Sequence, residues 1–135
     1  MGDYYLLVGG EVMPCSLLEW AERGESFYRD RIVAQEHLDG FFVSTVFLGL
    51  DHGFPRDPEH PIVFETMIFA TQEGLEGPEV TDWGELYCER YETLTMAQAG
   101  HAVALNFVRQ GAAEDERLKR EHQRNSELHE SPVAS

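Results

Sequence analysis

The sequence has almost no lysine, because Lys119 is the only one among its 135 residues. Ten basic residues face 25 acidic ones, which gives a formal net charge of −15. Residues 113–135 hold six acids and four bases, so nineteen acids and six bases leave a charge of −13 on residues 1–112. An acidic body repels nucleic acid and anionic membranes. We therefore expect a protein partner with a basic surface, no direct nucleic-acid binding and no membrane binding. A solvated acidic surface that serves only solubility is the open alternative.

Cysteine and long apolar runs are also scarce. Cys15 and Cys88 are the two cysteines, and their spacing matches no metal motif, so we expect two small buried thiols without a disulfide. No apolar run approaches the roughly 20 residues that span a bilayer. The N-terminus lacks the basic region and apolar core of a signal peptide, and Leu6 stands where myristoylation favours Ser or Thr. The sequence thus predicts a soluble cytoplasmic protein.

Motifs that would identify an enzyme are missing. The sequence has no G-x-S-x-G element, no P-loop and no dinucleotide-binding glycine pattern, and the usual zinc-protease pattern H-E-x-x-H is absent as well. We therefore expect neither a cofactor nor a bound metal, and the balance favours a protein that is not an enzyme.

The most informative stretch is Phe41 to Phe69, where two dense β-type runs flank a loop. Residues 42–50 and 62–69 predict strands, and residues 51–61 (DHGFPRDPEHP) cannot form regular structure because they hold three prolines and a glycine. The loop leaves Asp51, His52 and His60 at or near strand ends, where polar side chains can form a site.

The flanking segments carry clear local signals. Gly9-Gly10 and Asp39-Gly40 predict hairpin turns, and Ser16 with Glu19 predicts a capping box. The expected elements are a helix over 17–23, strands over 30–38 and 83–93, a loop over 71–82, a helix from Met96 capped by Thr93 or Thr95, and a charged helical segment over 112–128.

Together these elements predict an α+β fold. Its antiparallel β-sheet consists of the N-terminal hairpin plus a four-stranded meander, packed by a short N-terminal helix and a long C-terminal helix. We expect residues 1–111 to form the α+β domain and residues 112–135 to form a charged helical extension and tail.

Three blocks carry a family resemblance: VSTVFLGLDHGF from Val43, FETMIF from Phe64 and ERYETLTMAQAGH from Glu89. They resemble a family of small uncharacterised proteins of bacteriophage and actinobacterial genomes, which carry STVFLGLDH, LFETM-F and ERY-T-A--GH blocks. The resemblance covers roughly residues 10 to 105, and the proline-rich connection after His52 departs from it. It implies phage or prophage provenance and a cytoplasmic accessory role. The motif positions are Asp51, His52, Glu65, Thr66, Glu89, Arg90, Tyr91 and His101.

The carboxylate of Glu65 is the most informative single group, because it alternates with Val63, Met67 and Phe69 and needs a partner to offset its charge. Arg90 is the partner that we expect across the strands. The candidate catalytic residues are Asp51, His52, Glu65 and His101, since imidazole and carboxylate groups can serve acid–base chemistry or hold a metal. A purely structural role for each of them is the open alternative.

Three functions follow from this sequence. The first is a non-enzymatic acidic accessory protein that binds a host or phage protein, with inhibition by mimicry of nucleic-acid charge as its extreme form. Its expected binding residues are the motif positions Asp51, His52, Glu65, Thr66, Glu89, Arg90 and Tyr91. The alternatives are a small metal-dependent or acid–base hydrolase that uses Asp51, His52, Glu65 and His101, and a structural or assembly protein that forms a homo-oligomer through its C-terminal helix.

Overall fold

The computed structural model of the chain describes residues 3–24 and 26–130. Its elements follow one another as β1 (Tyr5–Val8), β2 (Glu11–Pro14), α1 (Leu17–Ala21), α2 (Ser26–Asp30), β3 (Ile32–Leu38), β4 (Phe41–Phe47), β5 (Phe64–Gly74), β6 (Gly77–Val80), β7 (Tyr87–Tyr91), α3 (Leu94–Arg109) and α4 (Ala112–Glu130). The α+β fold class is confirmed.

The N-terminal hairpin and helix form as their sequences predict. β1 and β2 pair antiparallel around Gly9-Gly10. At the start of α1, the Ser16 side chain accepts from the Glu19 backbone N–H, and the Glu19 carboxylate accepts from the Ser16 N–H. Both bonds satisfy first-turn donors that would otherwise lack a partner. The capping box is therefore confirmed.

The main sheet is antiparallel and runs in the order β3-β4-β5-β6, with β7 also paired to β5. Residues 71–82 were predicted to form a loop, and this prediction is wrong. β5 continues to Gly74 and turns back through Leu75 and Glu76 into β6. The extra strand pair forms because β5 extends beyond the end of β4, where its backbone groups need another partner.

Helix α3 covers one face of this sheet. Thr93 caps the helix by accepting a hydrogen bond from the Met96 N–H, and burial of the helix's small residues brings it close to the strands. A Cβ at Gly100 would lie 2.1 Å from the Tyr91 hydroxyl oxygen, so only glycine allows this approach. Two apolar clusters lie around this interface, one centred on Phe41, Val43, Ile68 and Val108, the other on Tyr5, Phe47, Val63 and Phe64.

Helix α4 follows α3 after Gly111, whose φ of +84° ends the first helix. Ala113 is fully buried in the cluster around Phe41, so the first turn of the predicted extension belongs to the core. Beyond it the helix is mostly charged and exposed, including Lys119. None of the described helices is both long and apolar enough to cross a membrane.

The two thiols are free, which agrees with the expectation of no disulfide. They are only half-buried, however, so the prediction of buried thiols is wrong. Cys88 lies on β7, at the edge of the sheet, where no further strand of the described chain covers it. Burial and then the nearby Glu65 carboxylate raise the pKa of the Cys88 thiol, which keeps it protonated and weakly reactive.

Candidate functional site

The Glu65 carboxylate is paired with Arg90, as the alternation of β5 predicts. The two residues are directly opposite each other on β5 and β7, and Arg90 Nε donates to Glu65 Oε2 at 2.9 Å. The Glu65 side chain is only 11% exposed, whereas that of Arg90 is 43% exposed. The hydrogen bond to Glu65 raises the pKa of the Arg90 guanidinium. The pair thus offsets a buried negative charge at the sheet edge.

Asp51 organises the loop that follows β4. It is buried, and its Oδ1 accepts hydrogen bonds from the backbone N–H groups of Gly53 and Ile62. These contacts tie the start of the loop to its end, which is a structural use of the carboxylate. His52 is exposed. His60 is also exposed, and its Nδ1 lies 2.9 Å from Glu92 Oε2, a contact that raises the pKa of the imidazole.

A buried polar centre lies between the sheet and α3. Thr45 Oγ1 is 2.6 Å from Thr66 Oγ1 and 2.7 Å from His101 Nδ1. Both threonines are fully buried, and His101 is 6% exposed. Its other nitrogen, Nε2, lies 3.8 Å from Glu36 Oε2. A neutral imidazole with its proton on Nε2 fits the contacts of both ring nitrogens. The Thr66 hydroxyl then donates to Thr45, and the Thr45 hydroxyl donates to Nδ1. The Nε2–H group faces the Glu36 carboxylate.

This buried centre favours the uncharged imidazole. Burial lowers the pKa of His101, and the Glu36 carboxylate opposes that effect. No substrate can approach the Thr45 hydroxyl, because the residue has no exposed surface. The two hydroxyls and the imidazole are therefore part of the packing between α3 and strands β4 and β5, and the half-exposed Glu36 carboxylate of β3 lies at the edge of this centre.

The remaining predicted binding residues are Glu89 and Tyr91 on β7 and Thr66 on β5. Glu89 is exposed, and Tyr91 is half-buried with its ring against Gly100. Burial, followed by the neighbouring Tyr91, raises the pKa of Tyr87 to about 12, so this phenol stays neutral. Thr66 is closed off from the surface by the buried centre.

Three of the four candidate catalytic residues are engaged in separate contacts, and the fourth, His52, is exposed. Asp51 holds its loop, Glu65 binds Arg90, and His101 contacts Thr45. Within residues 3–24 and 26–130, no three His, Cys, Asp or Glu side chains are arranged to hold a metal ion. The geometry thus provides no shared centre for hydrolysis.

A different surface stands out, which we call the acidic arm and define as residues 71–85. It comprises the end of β5, strand β6 and the segment that leads to β7. The arm carries five carboxylates and no Lys or Arg, spaced three residues apart at Glu73, Glu76, Glu79, Asp82 and Glu85.

Three of these carboxylates are uncompensated. Glu73, Glu76 and Glu79 are exposed, and none of them forms an ion pair with a Lys, Arg or His of the described chain. Four arginines are engaged elsewhere, in ion pairs that include Arg56–Asp3, Arg90–Glu65, Arg117–Glu114 and Arg120–Glu116. The arm is therefore a concentrated negative surface.

Two large apolar side chains accompany these charges. Leu75 is fully exposed at the tip of the turn, and Trp83 is 65% exposed. The Trp83 ring packs edge-on against Phe69 with centroids 5.0 Å apart, so one side of the indole is supported by the sheet. An exposed Trp that is supported on one side is a residue type enriched at protein-binding surfaces, and the neighbouring carboxylates give this surface a charge that favours a basic partner.

This surface was not predicted, because residues 71–82 were expected to form a loop. The sequence signal for the hairpin is the pair Gly74 and Gly77, which bracket a two-residue turn. The sequence signal for the charged surface is the regular spacing of the carboxylates. A Cβ at Gly74 would lie 2.2 Å from Glu79 Cδ, so glycine lets the Glu79 side chain cross the hairpin.

Comparisons with protein-family models, curated proteins and solved structures gave no significant match. The resemblance to the phage and actinobacterial family therefore stays a prediction, and the candidate site depends on its geometry alone.

Proposed function

We propose that this chain is a non-enzymatic acidic accessory protein that binds a protein partner with a basic surface, and that the acidic arm is its binding site. The observation that carries the proposal is the combination of three uncompensated carboxylates with the exposed Leu75 and Trp83. The phage-type role implied by the family resemblance is consistent with such a binding protein.

The charges and the apolar side chains contribute to binding in different ways. Exposed carboxylates accelerate encounter with a basic surface and select against acidic partners, while salt screens them. Trp83 and Leu75 supply the apolar area that is removed from water when the complex forms. Loss of the charges should therefore lower the association rate, and loss of Trp83 should raise the dissociation rate.

The test is capture of proteins from a bacterial lysate on the immobilised full chain, followed by mass spectrometry. We expect basic proteins to be retained at about 0.1 M salt, where the screening length is about 10 Å, and lost at about 1 M, where it is about 3 Å. The triple variant Glu73→Gln/Glu76→Gln/Glu79→Gln should lose them.

The charge-matched control is Glu11→Gln/Glu22→Gln/Asp115→Asn, three exposed acids outside the arm. It should retain the same proteins as the unmodified chain. Equal losses in both triple variants would show that only total charge matters, and capture that ignores salt would contradict an electrostatic site.

Charge mimicry of nucleic acid is the narrower form of this proposal. It requires that the captured partner itself binds DNA or RNA. In that case duplex DNA added to the loaded resin should release the partner, because both ligands occupy one basic surface. Retention of the partner in excess DNA would restrict the function to ordinary protein binding.

Self-association through α4 is the second proposal for a partner. Leu118 and Leu128 are exposed on this helix, and exposed apolar residues are the contacts that a second copy would cover. Light scattering should then give a dimer mass that the Leu118→Glu/Leu128→Glu variant reduces to the monomer mass. A monomer mass for the unmodified chain would exclude this mode.

A further inference from the structure

Helix α4 contacts the acidic arm with arginines that lie one helical turn apart. Arg120 Nη1 donates to the backbone carbonyl of Glu85, and Arg124 Nη2 lies 3.4 Å from Asp82 Oδ2. Positions i and i+4 of a helix share one face, so a single helical face supplies both contacts. The protein thus contains an intramolecular example of its arm in contact with two arginines on one helix face.

The arm divides accordingly into a part in contact with α4 and an open part. The Asp82 carboxylate and the Glu85 backbone carbonyl contact α4, whereas the exposed Glu73, Glu76 and Glu79 form no ion pair with a Lys, Arg or His of the described chain. A groove of about 580 Å³ lies between the arm and α4, and its walls include Gln72, Thr81 and Arg117. The groove leaves space beside α4 rather than a sealed interface.

The contacts of α4 with the arm are weak enough to be exchanged. The Arg124–Asp82 pair is exposed, with side chains 65% and 59% accessible, and exposed ion pairs contribute about 0–1 kcal/mol each. Arg120 is also held by Glu116 on its own helix, so it keeps a partner when it leaves Glu85. A helix with a stronger basic face can therefore replace these contacts.

From this arrangement, and on the basis of the proposed function, we infer that the segment recognised by the acidic arm is a basic α-helix of the partner protein, with arginines at positions i and i+4, and that α4 occupies part of this site in the free protein. Arginine suits the site better than lysine, because its planar group can bind a carboxylate and a backbone carbonyl at once.

The test uses an alanine-based helical peptide with Arg pairs at i and i+4 as probe, titrated into the full chain. A second peptide of the same composition, with its Arg pairs at i and i+2, places them on different faces. The variant Arg120→Ala/Arg124→Ala removes the internal competitor. Arg29→Ala/Arg109→Ala is its charge-matched control, since both residues are exposed and lie outside the arm.

We expect the Arg120→Ala/Arg124→Ala variant to bind the first peptide about three- to tenfold more tightly than the unmodified chain, since two weak exposed contacts no longer compete. The change in the logarithm of the Kd should be less than half as large in the control variant. Circular dichroism of both variants should show an intact fold.

Three outcomes would overturn the inference while leaving the proposed function in place. Equal affinity gains in variant and control would show that α4 does not compete. Equal affinity for both peptides would show that the arm does not distinguish arginines on one helical face from arginines on different faces. Tighter binding of a lysine version would contradict the guanidinium preference. Failure of the proposed function is a separate result, namely unchanged lysate capture by the Glu73→Gln/Glu76→Gln/Glu79→Gln variant.

Discussion

Polar side chains are buried at one end of strand β5 and exposed at the other. In residues 64–69, Glu65 and Thr66 are buried and each has a partner, Arg90 and Thr45 respectively. In residues 70–74 and the hairpin beyond, carboxylates are exposed and uncompensated. A buried polar group must be satisfied for the fold to be stable, whereas an exposed charge is free to meet another molecule. The buried residues therefore maintain the architecture, and the exposed ones carry the proposed binding.

The largest expected difference in stability is between alanine variants of Phe64 and Leu75, which lie near opposite ends of this segment. Phe64 has no exposed surface and Leu75 is fully exposed. Phe64→Ala should lower the free energy of unfolding by about 3–5 kcal/mol, and Leu75→Ala should change it by less than about 0.5 kcal/mol. Urea denaturation measures both, and similar losses would contradict the division.

The second contrast concerns the partner of Glu65. Arg90→Ala leaves a largely buried carboxylate with only the weak Cys88 thiol donor at 3.9 Å, which should cost about 1–3 kcal/mol. The cost stays below that of a fully buried pair because Arg90 is 43% exposed and water can reach the site.

The control for this change is the double variant Glu65→Met/Arg90→Met, which removes both charges. It should recover most of the lost stability, since no uncompensated group remains. A double variant as unstable as Arg90→Ala would show that the Arg90 stem, and not the ion pair, provides the stabilisation.

The third contrast is a pH dependence of stability that arises at His101. Burial holds the pKa of His101 below its usual 6.5, and the groups that face its two ring nitrogens are the Thr45 hydroxyl and the Glu36 carboxylate. Below about pH 6.5 the unfolded chain therefore binds a proton that the folded chain does not. The free energy of unfolding should therefore decrease as the pH is lowered below about 6.5, by at most about 1.4 kcal/mol per pH unit.

Urea midpoints measured between about pH 7 and pH 5.5 test this dependence. His101→Gln should flatten the curve in that window. His60→Gln is the matched control, because the Glu92 contact raises the pKa of His60 and its contribution is present at low pH and lost as pH rises. An unchanged slope in His101→Gln would assign the acid sensitivity to other groups.

The smallest expected change in stability comes from substitutions in the acidic arm itself. Glu73→Gln/Glu76→Gln/Glu79→Gln should leave the free energy of unfolding within about 0.5 kcal/mol per site, with a slight gain from reduced repulsion. Thermal unfolding at low salt measures it. A large loss would mean that these carboxylates stabilise the hairpin and are not reserved for binding.

Local chemistry accounts for the part of this fold that could be predicted. The Ser16 capping box, the Asp39-Gly40 turn and the Thr93 cap each depend on neighbouring residues, and all three form. The Glu65–Arg90 pair was also predictable, because strand alternation placed a carboxylate among apolar side chains and few bases were available.

The buried centre and the hairpin could not be predicted in the same way. Thr45 and His101 are 56 residues apart, and only the register of β4, β5 and α3 brings them together. The hairpin strands contain Gly, Pro and Glu, which have low strand propensity, so pairing with the end of β5 decides their structure. Helix α2 was missed because five residues give no clear periodic signal.

The exposed position of Lys119 on α4 has a practical consequence for mapping a complex. As the only lysine, it is the single side-chain site for amine-reactive reagents, and it adjoins Arg120, which contacts the arm. A short cross-linker attached there therefore reports what lies beside α4. A dye at the same position should change its emission when a bound helix displaces Arg120 and Arg124, so one residue provides both a distance restraint and a signal of occupancy.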